Sequence, residues 1–456
     1  FFFVCVPSFP FRLVRVELGF SETVSETPAD KNIMEEPNIN ELPDDLILKI
    51  FSLLPMFKEN VATHLLSKRW ENPWKLVSDV MFDDDYESYE SLVTFLILER
   101  LHLKLSRNYL DSDISFWVNI AVNRSVRKLR IHMSGKTLKL PSCLSTCVTL
   151  KSLILHAINI NVVPPRFHLL SLKSLHLLSV NSSGDETIPS LLQVCPVLEY
   201  LVVNQTKDDD VMFKVVPPWF CLPSLKSLHL LSIKFSGDEA LAKLLEGCEV
   251  LDNLVVKRTQ DDNVMIFNIN VPSLKSLSVE NFKGKRAYVE ENHGFVINAP
   301  LEKLNFKDTF SNFLKFEHMP KTPYPSGTIS PCIDHLELCT CSGGWANLLA
   351  SILNDAPRLR SLKLKSQHRA RYNDPMNLWN EPTVNPECLS THLEILEWRQ
   401  YEGTEQERNV AAYVLANATC LKMATFSTRC RNKYHRMLKK LKKLKRVSEI
   451  CQLVFE

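Results

Sequence analysis

The chain has 456 residues, 45% of them apolar, and a formal net charge of +2, so it is long enough for a large core and carries no global field that would draw it to nucleic acid or a membrane. Its thirteen cysteines include no CxxC pair. The closest, Cys339 with Cys341 and Cys143 with Cys147, lack a second pair at zinc-ligand spacing, which excludes a zinc framework and fits reduced thiols in the cytoplasm and/or nucleus. No apolar run reaches the length of a membrane helix.

Residues 1–37 are expected to be a disordered or artefactual leader. FFFVCVPSFPFRLVRV is apolar, but Pro7 and Pro10 interrupt it and the basic leading region of a signal peptide is missing. The stretch that follows, SETVSETPADKNIMEEPNINE, is polar and acidic.

A compact helical unit is expected over residues 38–84. Pro43 suits the first position of a helix, and Asp44 and Asp45 set negative charge against its positive end. Leu46, Ile47, Ile50, Leu53 and Leu54 form an apolar stripe, with Leu48 and Phe51 apolar on the opposite side. A helix apolar on two sides has two partners, and a unit of roughly 40 residues is near the lower limit for folding alone. A second helical run with Val61, Ala62, Leu65 and Leu66 closes at Ser67, Lys68, Arg69 and Trp70, ahead of Pro73. LPDDLILKIFSLLP followed by LLSKRW resembles the F-box, the motif with which substrate receptors of cullin-based ubiquitin ligases grip a Skp-type adaptor. The resemblance implies that Leu42, Pro43, Leu46, Ile50, Leu53, Leu54, Leu66, Ser67, Arg69 and Trp70 supply its core and adaptor surface. Pro73 stands where the resemblance implies an apolar residue.

Residues 85–125 read as a helical linker built from SLVTFLILERLHL and WVNIAVNRSV. Residues 126–385 repeat. SLKSLHLLSV at residues 171–180 recurs as SLKSLHLLSI 53 residues later, and CPVLEYLVV recurs as CEVLDNLVV at the same spacing. Each long unit holds two L-x-x-L-x-L strands, so the true period falls in the leucine-rich repeat range of about 20 to 29 residues. One repeat cannot offset its backbone entropy with its own few aliphatics, so the coils must stack. Helical runs after SGD, with Asp185 and Asp238 as N-caps, are expected to line the convex side of a curved parallel sheet. Two long loops, residues 320–332 and 366–387, break the period and read as tolerated insertions or else as functional loops.

Residues 386–456 hold a strand with Leu393, Leu396 and Trp398, a helix capped by Thr404 with Glu407 completing a capping box, and a strand with Leu421 and Phe426. HLEILEW, YEGTEQE, AAYVLANA, LKMATFS and CQLVF resemble the FBD domain found at the end of many plant F-box and leucine-rich repeat proteins. RCRNKYHRMLKKLKKLKRVSE is more basic than that resemblance implies. It reads as a solvated helix with Met437, Leu438, Leu441 and Leu444 packed inward, or else as a nuclear localisation or polyanion-binding segment.

The expected fold class is therefore α/β: an N-terminal all-helical F-box, a leucine-rich repeat solenoid, and an FBD segment. Strand residues between the repeat leucines point onto the open face of the sheet. There His176, His229, Ser278, Asn305 and Lys363 are the candidate target contacts, beside Ile154, Val202 and Val255 on a mixed, weakly basic surface. SGKT at residues 134–137 lacks the upstream glycine of a phosphate-binding loop, and H-E-x-x-H, G-x-S-x-G and G-x-G-x-x-G are absent. No catalytic residue, metal ligand or cofactor is expected. The resemblance implies a non-catalytic substrate-recognition subunit of an SCF-type ubiquitin ligase. Its partners would be a Skp-type adaptor, through it a cullin, and a target protein, with no membrane or nucleic acid. The alternative is a repeat scaffold without a ligase role.

Overall fold

A computed structural model describes residues 2–4, 14–16, 42–53, 79–85, 98–182, 184, 186–205, 211–213, 216–217, 220–258, 264–281, 294–307, 313–316, 332–341, 344–366, 379–428 and 434–456. The chain divides into two compact units, residues 1–175 and 176–456.

In the first unit four parallel strands stand side by side in chain order: Asp79–Asp83, Arg100–Lys104, Lys128–Thr137 and Ser152–Ile160. The sheet thus begins well before residue 126, inside segments expected to be F-box and helical linker. DVMFD and RLHLK alternate with the period of a strand, and Val80, Phe82, Leu101 and Leu103 point into the core at 3% exposure or less. The apolar run before Arg100 suggests a helix only if that alternation is overlooked. The other helix expected here is present as Asp111–Asn123. It buries Ile114, Trp117, Val118 and Ala121, with Tyr109 edge-on to Trp117 at 4.9 Å. Within the segment expected to be an unstructured leader, Phe2–Val4 pairs antiparallel with Val14–Val16.

In the second unit parallel strands pair in chain order: Tyr200–Asn204, Ser227–Leu231, Asn253–Arg258, Ser276–Asn281, Lys303–Lys307, His335–Cys339, Ser361–Lys365, Ile395–Arg399, Met423–Phe426 and Gln452–Phe455. Leu201, Leu228, Leu254, Leu277, Leu304, Leu336, Leu362 and Leu396 are all but fully buried. At several coils a hydroxyl side chain makes a bond to the one before. Ser224 donates to the Pro196 carbonyl at 3.1 Å, Ser273 to that of Leu251 at 2.8 Å and Ser448 to that of Leu421 at 2.6 Å. The recurring cysteines do related work within a coil: Cys195 and Cys248 donate to the carbonyls of Leu191 and Leu244, four residues back. Burial pushes both thiols up to about 12, far from nucleophilic.

Behind the sheet lie the helices Thr187–Gln193, Asp238–Glu246, Trp345–Asp355, Glu387–Thr391 and Glu405–Asn417. The helical runs expected after SGD are present, whereas the described residues between 264 and 316 are built from strands. There Ile266–Asn270, Gly294–Asn298 and Phe313–Phe316 form a second, three-stranded parallel sheet. IFNIN and GFVIN alternate with period two, and Phe267, Ile269, Phe295 and Ile297 are buried, the two phenylalanine rings 5.0 Å apart.

Asp238 corrects a second expectation. It is the first residue of its helix, not the cap, and its carboxylate accepts from the backbone N–H groups of Met265, at 2.7 Å, and Ile266, where the second sheet begins. Asp185 lies outside the described residues. The Thr404–Glu407 capping box is present, Thr404 Oγ1 accepting from Glu407 N at 3.2 Å and Glu407 Oε2 from Thr404 N at 3.0 Å. The basic helix Tyr434–Lys442 buries Met437 and Leu441 and leaves Lys439, Lys440 and Lys442 exposed; Leu444, just beyond it, is half-buried. The side chain of Leu438 lies outside the described residues.

Candidate functional site

The first candidate surface is the helix Asp44–Leu53. Pro43 sits one position ahead of the helix, not at its first residue, and its carbonyl accepts from Leu46 N and Ile47 N at 3.0 Å. Asp44 and Asp45 occupy the first turn, where the helix dipole favours them. Leu42, Ile47 and Ile50 are buried within the chain, Leu46 is half-buried and Pro43 is exposed. Leu42 and Ile50 therefore belong to the core share of the expected set, and Pro43 and Leu46 to its surface share. The helix reaches Leu53, whose side chain is not described. Leu54, Leu66, Ser67, Arg69 and Trp70 lie outside the described residues.

The second surface is the open face of the sheet in the second unit. His229, Val255, Ser278, Asn305, Glu337 and Lys363 are successive register partners in one row. At about 4.8 Å per strand, His229 and Lys363 are roughly 24 Å apart. The five candidates share a face without converging on a point, which suits contact with an extended partner and gives no reaction centre. His176 and His229 flank Tyr200, with ring centroids 5.5 and 5.0 Å away, making an aromatic strip across three strands. Burial lowers the His229 pKa, so that ring is neutral at physiological pH. Asn305 has its side-chain oxygen buried without a hydrogen-bond partner.

Lys363 is not part of a basic patch. It lies between Glu337 at 3.9 Å and Glu397 at 3.6 Å, in a ladder that runs from Lys307, 3.1 Å from Glu337, to Arg399 beside Glu397. The charges alternate strand by strand, and this end of the row is close to neutral.

The open face of the first unit holds residues that sequence reasoning passed over. His102 is the register partner of Arg130, and Lys104, His132 and His156 form the neighbouring row. The His132 and His156 rings stack at 4.4 Å and 19°, and Arg130 Nη2 approaches His156 Nδ1 at 3.3 Å. Burial, then Arg130 and His132, take the His102 pKa down to about 4, and His132 and His156 are also lowered, with burial the main cause in each. The signal was present in the alternation of RLHLK and KLRIHM, but only pairing across strands brings the residues together.

Beside them Asp83, Asp84 and Asp85 are the described acidic cluster close enough to share a cation, yet their oxygens are engaged. Asp84 accepts from Ser106 N, Ser106 Oγ and Arg107 N at 2.7–2.9 Å. Burial raises its pKa, and these hydrogen bonds overcome that to leave it lowered. Asp83 holds Lys104 at 2.6 Å. The cluster is a loop anchor. A hollow of about 490 Å³ is lined by Glu249, Asp252, Lys275, Glu302 and Cys332, with no histidine in its lining beside the thiol.

Stacked coils, each contributing one parallel strand and buried leucines, define a leucine-rich repeat protein. Residues 114–212 match the repeats of the family described as FBD-associated F-box protein At5g56370, residues 224–248 match Leucine Rich Repeat, and residues 381–426 match FBD. The chain is 51% identical to FBD-associated F-box protein At5g56560 of Arabidopsis thaliana, over 92% of this chain and all of that one. It is 41% identical to F-box/FBD/LRR-repeat protein At5g56570 of the same plant, over 100% of this chain and 99% of the relative. It belongs to the plant F-box/FBD/LRR-repeat family.

Proposed function

We propose that this chain is the substrate-recognition subunit of an SCF-type ubiquitin ligase, acting in the cytoplasm and/or nucleus. Its F-box docks a Skp-type adaptor, and through it a cullin, while the open face of the repeat sheet holds a target protein. The observation that carries this reading is LPDDLILKIFSLLP with LLSKRW standing ahead of a leucine-rich array, in a chain whose full-length relatives bear the F-box name. Two features of the described residues support it. Pro43 and Leu46 keep apolar surface outside the chain's own core, and the target-face candidates spread along one row as a protein-sized ligand requires.

In this role the chain supplies no reacting group. It raises the local concentration of target near a charged conjugating enzyme elsewhere in the complex, turning an encounter between free molecules into one within an assembly. Affinity purification of the full chain from plant cells tests the proposal. Wild type is expected to recover adaptor and cullin together, and Pro43→Ala combined with Leu46→Asp to lose both while the thermal melt of the chain is unchanged. Equal recovery by wild type and variant would overturn it.

A further inference from the structure

We propose that the open face of the first unit carries an oxyanion-binding site, built from Arg130, His102, His132 and His156, that takes a carboxylate or phosphate group displayed by a target protein. This deepens the reading of the sheet as a target-binding face and gives that face a chemistry.

The argument starts from hydrogen-bond capacity. A guanidinium can only donate, so the 3.3 Å approach of Arg130 Nη2 to His156 Nδ1 makes Nδ1 the acceptor and leaves the ring proton on Nε2, free to donate outward. Arg130 Nε and His102 Nε2 are buried and lack a hydrogen-bond partner, although buried polar groups are nearly always satisfied. Arg130 has no carboxylate partner among the described residues. The acid on the same face, Asp83, is taken by Lys104 at 2.6 Å, and Asp85 lies 3.6 Å from that same ammonium. Arg100 pairs with Asp79 at 3.5 Å, and Lys136 donates to the Ser106 carbonyl. What remains is one unpaired guanidinium with three imidazoles around it on the strands at Arg100–Lys104, Lys128–Thr137 and Ser152–Ile160.

That arrangement selects the sign of the ligand. A metal ion bound by the imidazoles would sit against the Arg130 guanidinium, which opposes it. An oxyanion instead gives Arg130 Nε its missing acceptor and offsets the positive field. The depressed histidine pKa values agree: each ring resists protonation because it is partly buried and its neighbours are cationic, and an anion at the centre removes the second cause. Binding is then linked to proton uptake. His132, stacked on His156 at 4.4 Å, can take up charge more readily when a counter-ion faces it, while His156 Nδ1 stays engaged by Arg130. Affinity should rise as pH falls, with the Asp83–Lys104 pair as the fixed background.

The test uses the full chain with sulfate as probe, because sulfate keeps one charge across the range studied. Titrations followed by histidine ring NMR signals, at constant ionic strength set with chloride, are compared at pH 8 and pH 5.5. Saturable binding is expected, tighter by about tenfold or more at the lower pH, and weakened by about tenfold or more in Arg130→Gln. Arg100→Gln, on the same face but paired with Asp79, should leave it unchanged, and His156→Gln provides a second loss variant if Arg130→Gln does not fold. Acetate and phenyl phosphate competing against sulfate then distinguish an acidic side chain from a phosphorylated one. Binding that is unsaturable, independent of pH, or equal in wild type and Arg130→Gln would overturn the site. None of these outcomes touches adaptor recovery, which depends on Pro43 and Leu46.

Discussion

Glu407 shows how a single residue closes a helix at the expense of its own charge. Its carboxylate, 5% exposed, accepts from Glu402 N at 3.1 Å and Thr404 N at 3.0 Å. Burial still outweighs those bonds and leaves its pKa raised above the usual Glu value. A carboxyl raised in the folded state adds stability below its unfolded pKa, and that contribution is lost as pH climbs through the folded value. Glu407→Gln keeps an acceptor oxygen and removes the titration. Urea melts should therefore show the variant gaining on wild type as pH rises from 4 to 7.5. Glu407→Ala should cost about 1–3 kcal/mol at either pH, because two backbone donors lose their acceptor. A wild type that keeps its advantage over Glu407→Gln at pH 7.5 would contradict this. The capping box was legible in TEQE because both partners sit within four residues. Arg130 and the histidines were not, since His102 and His156 are 54 positions apart in the chain and meet only through strand register. The neutralising of Lys363 by Glu337 and Glu397 was hidden for the same reason.

At the scale of elements, the coils are held by buried leucines and the parallel ladder, with a hydroxyl bond to the preceding coil at several of them. Leu254 is fully buried in the strand Asn253–Arg258, paired in register with Leu228 and Leu277. Leu254→Ala should cost about 2–5 kcal/mol, measured as a shift in denaturation midpoint; a cost below about 1 kcal/mol would mean the coil collapses around the gap. The leucine rows were the most readable feature of the sequence because their spacing is set by the coil itself. What stands behind them was less readable. ETIPSLLQVCP and EALAKLLEGCE have helical spacing and form helices, whereas IFNIN and GFVIN alternate and form strands. RLHLK likewise alternates, but only over five residues beside a longer apolar run, and that run set the expectation.

For the whole molecule, the family and its order of parts follow from motifs along the chain and from relatives matched along nearly its full length. The open face of each unit is better defined than sequence alone allowed. In the first unit it gathers Arg130 and three histidines beside the Asp83–Lys104 pair. In the second it runs from the aromatic strip at His176, Tyr200 and His229 to the alternating charges around Lys363. The most direct test of the proposed receptor role is calorimetric titration of the purified full chain with a purified Skp-type adaptor. The account predicts a one-to-one complex with a dissociation constant below about 1 µM, or about −8 kcal/mol, lost in Pro43→Ala combined with Leu46→Asp. No complex with the folded wild-type chain at about 100 µM adaptor, roughly −5.5 kcal/mol, would contradict it.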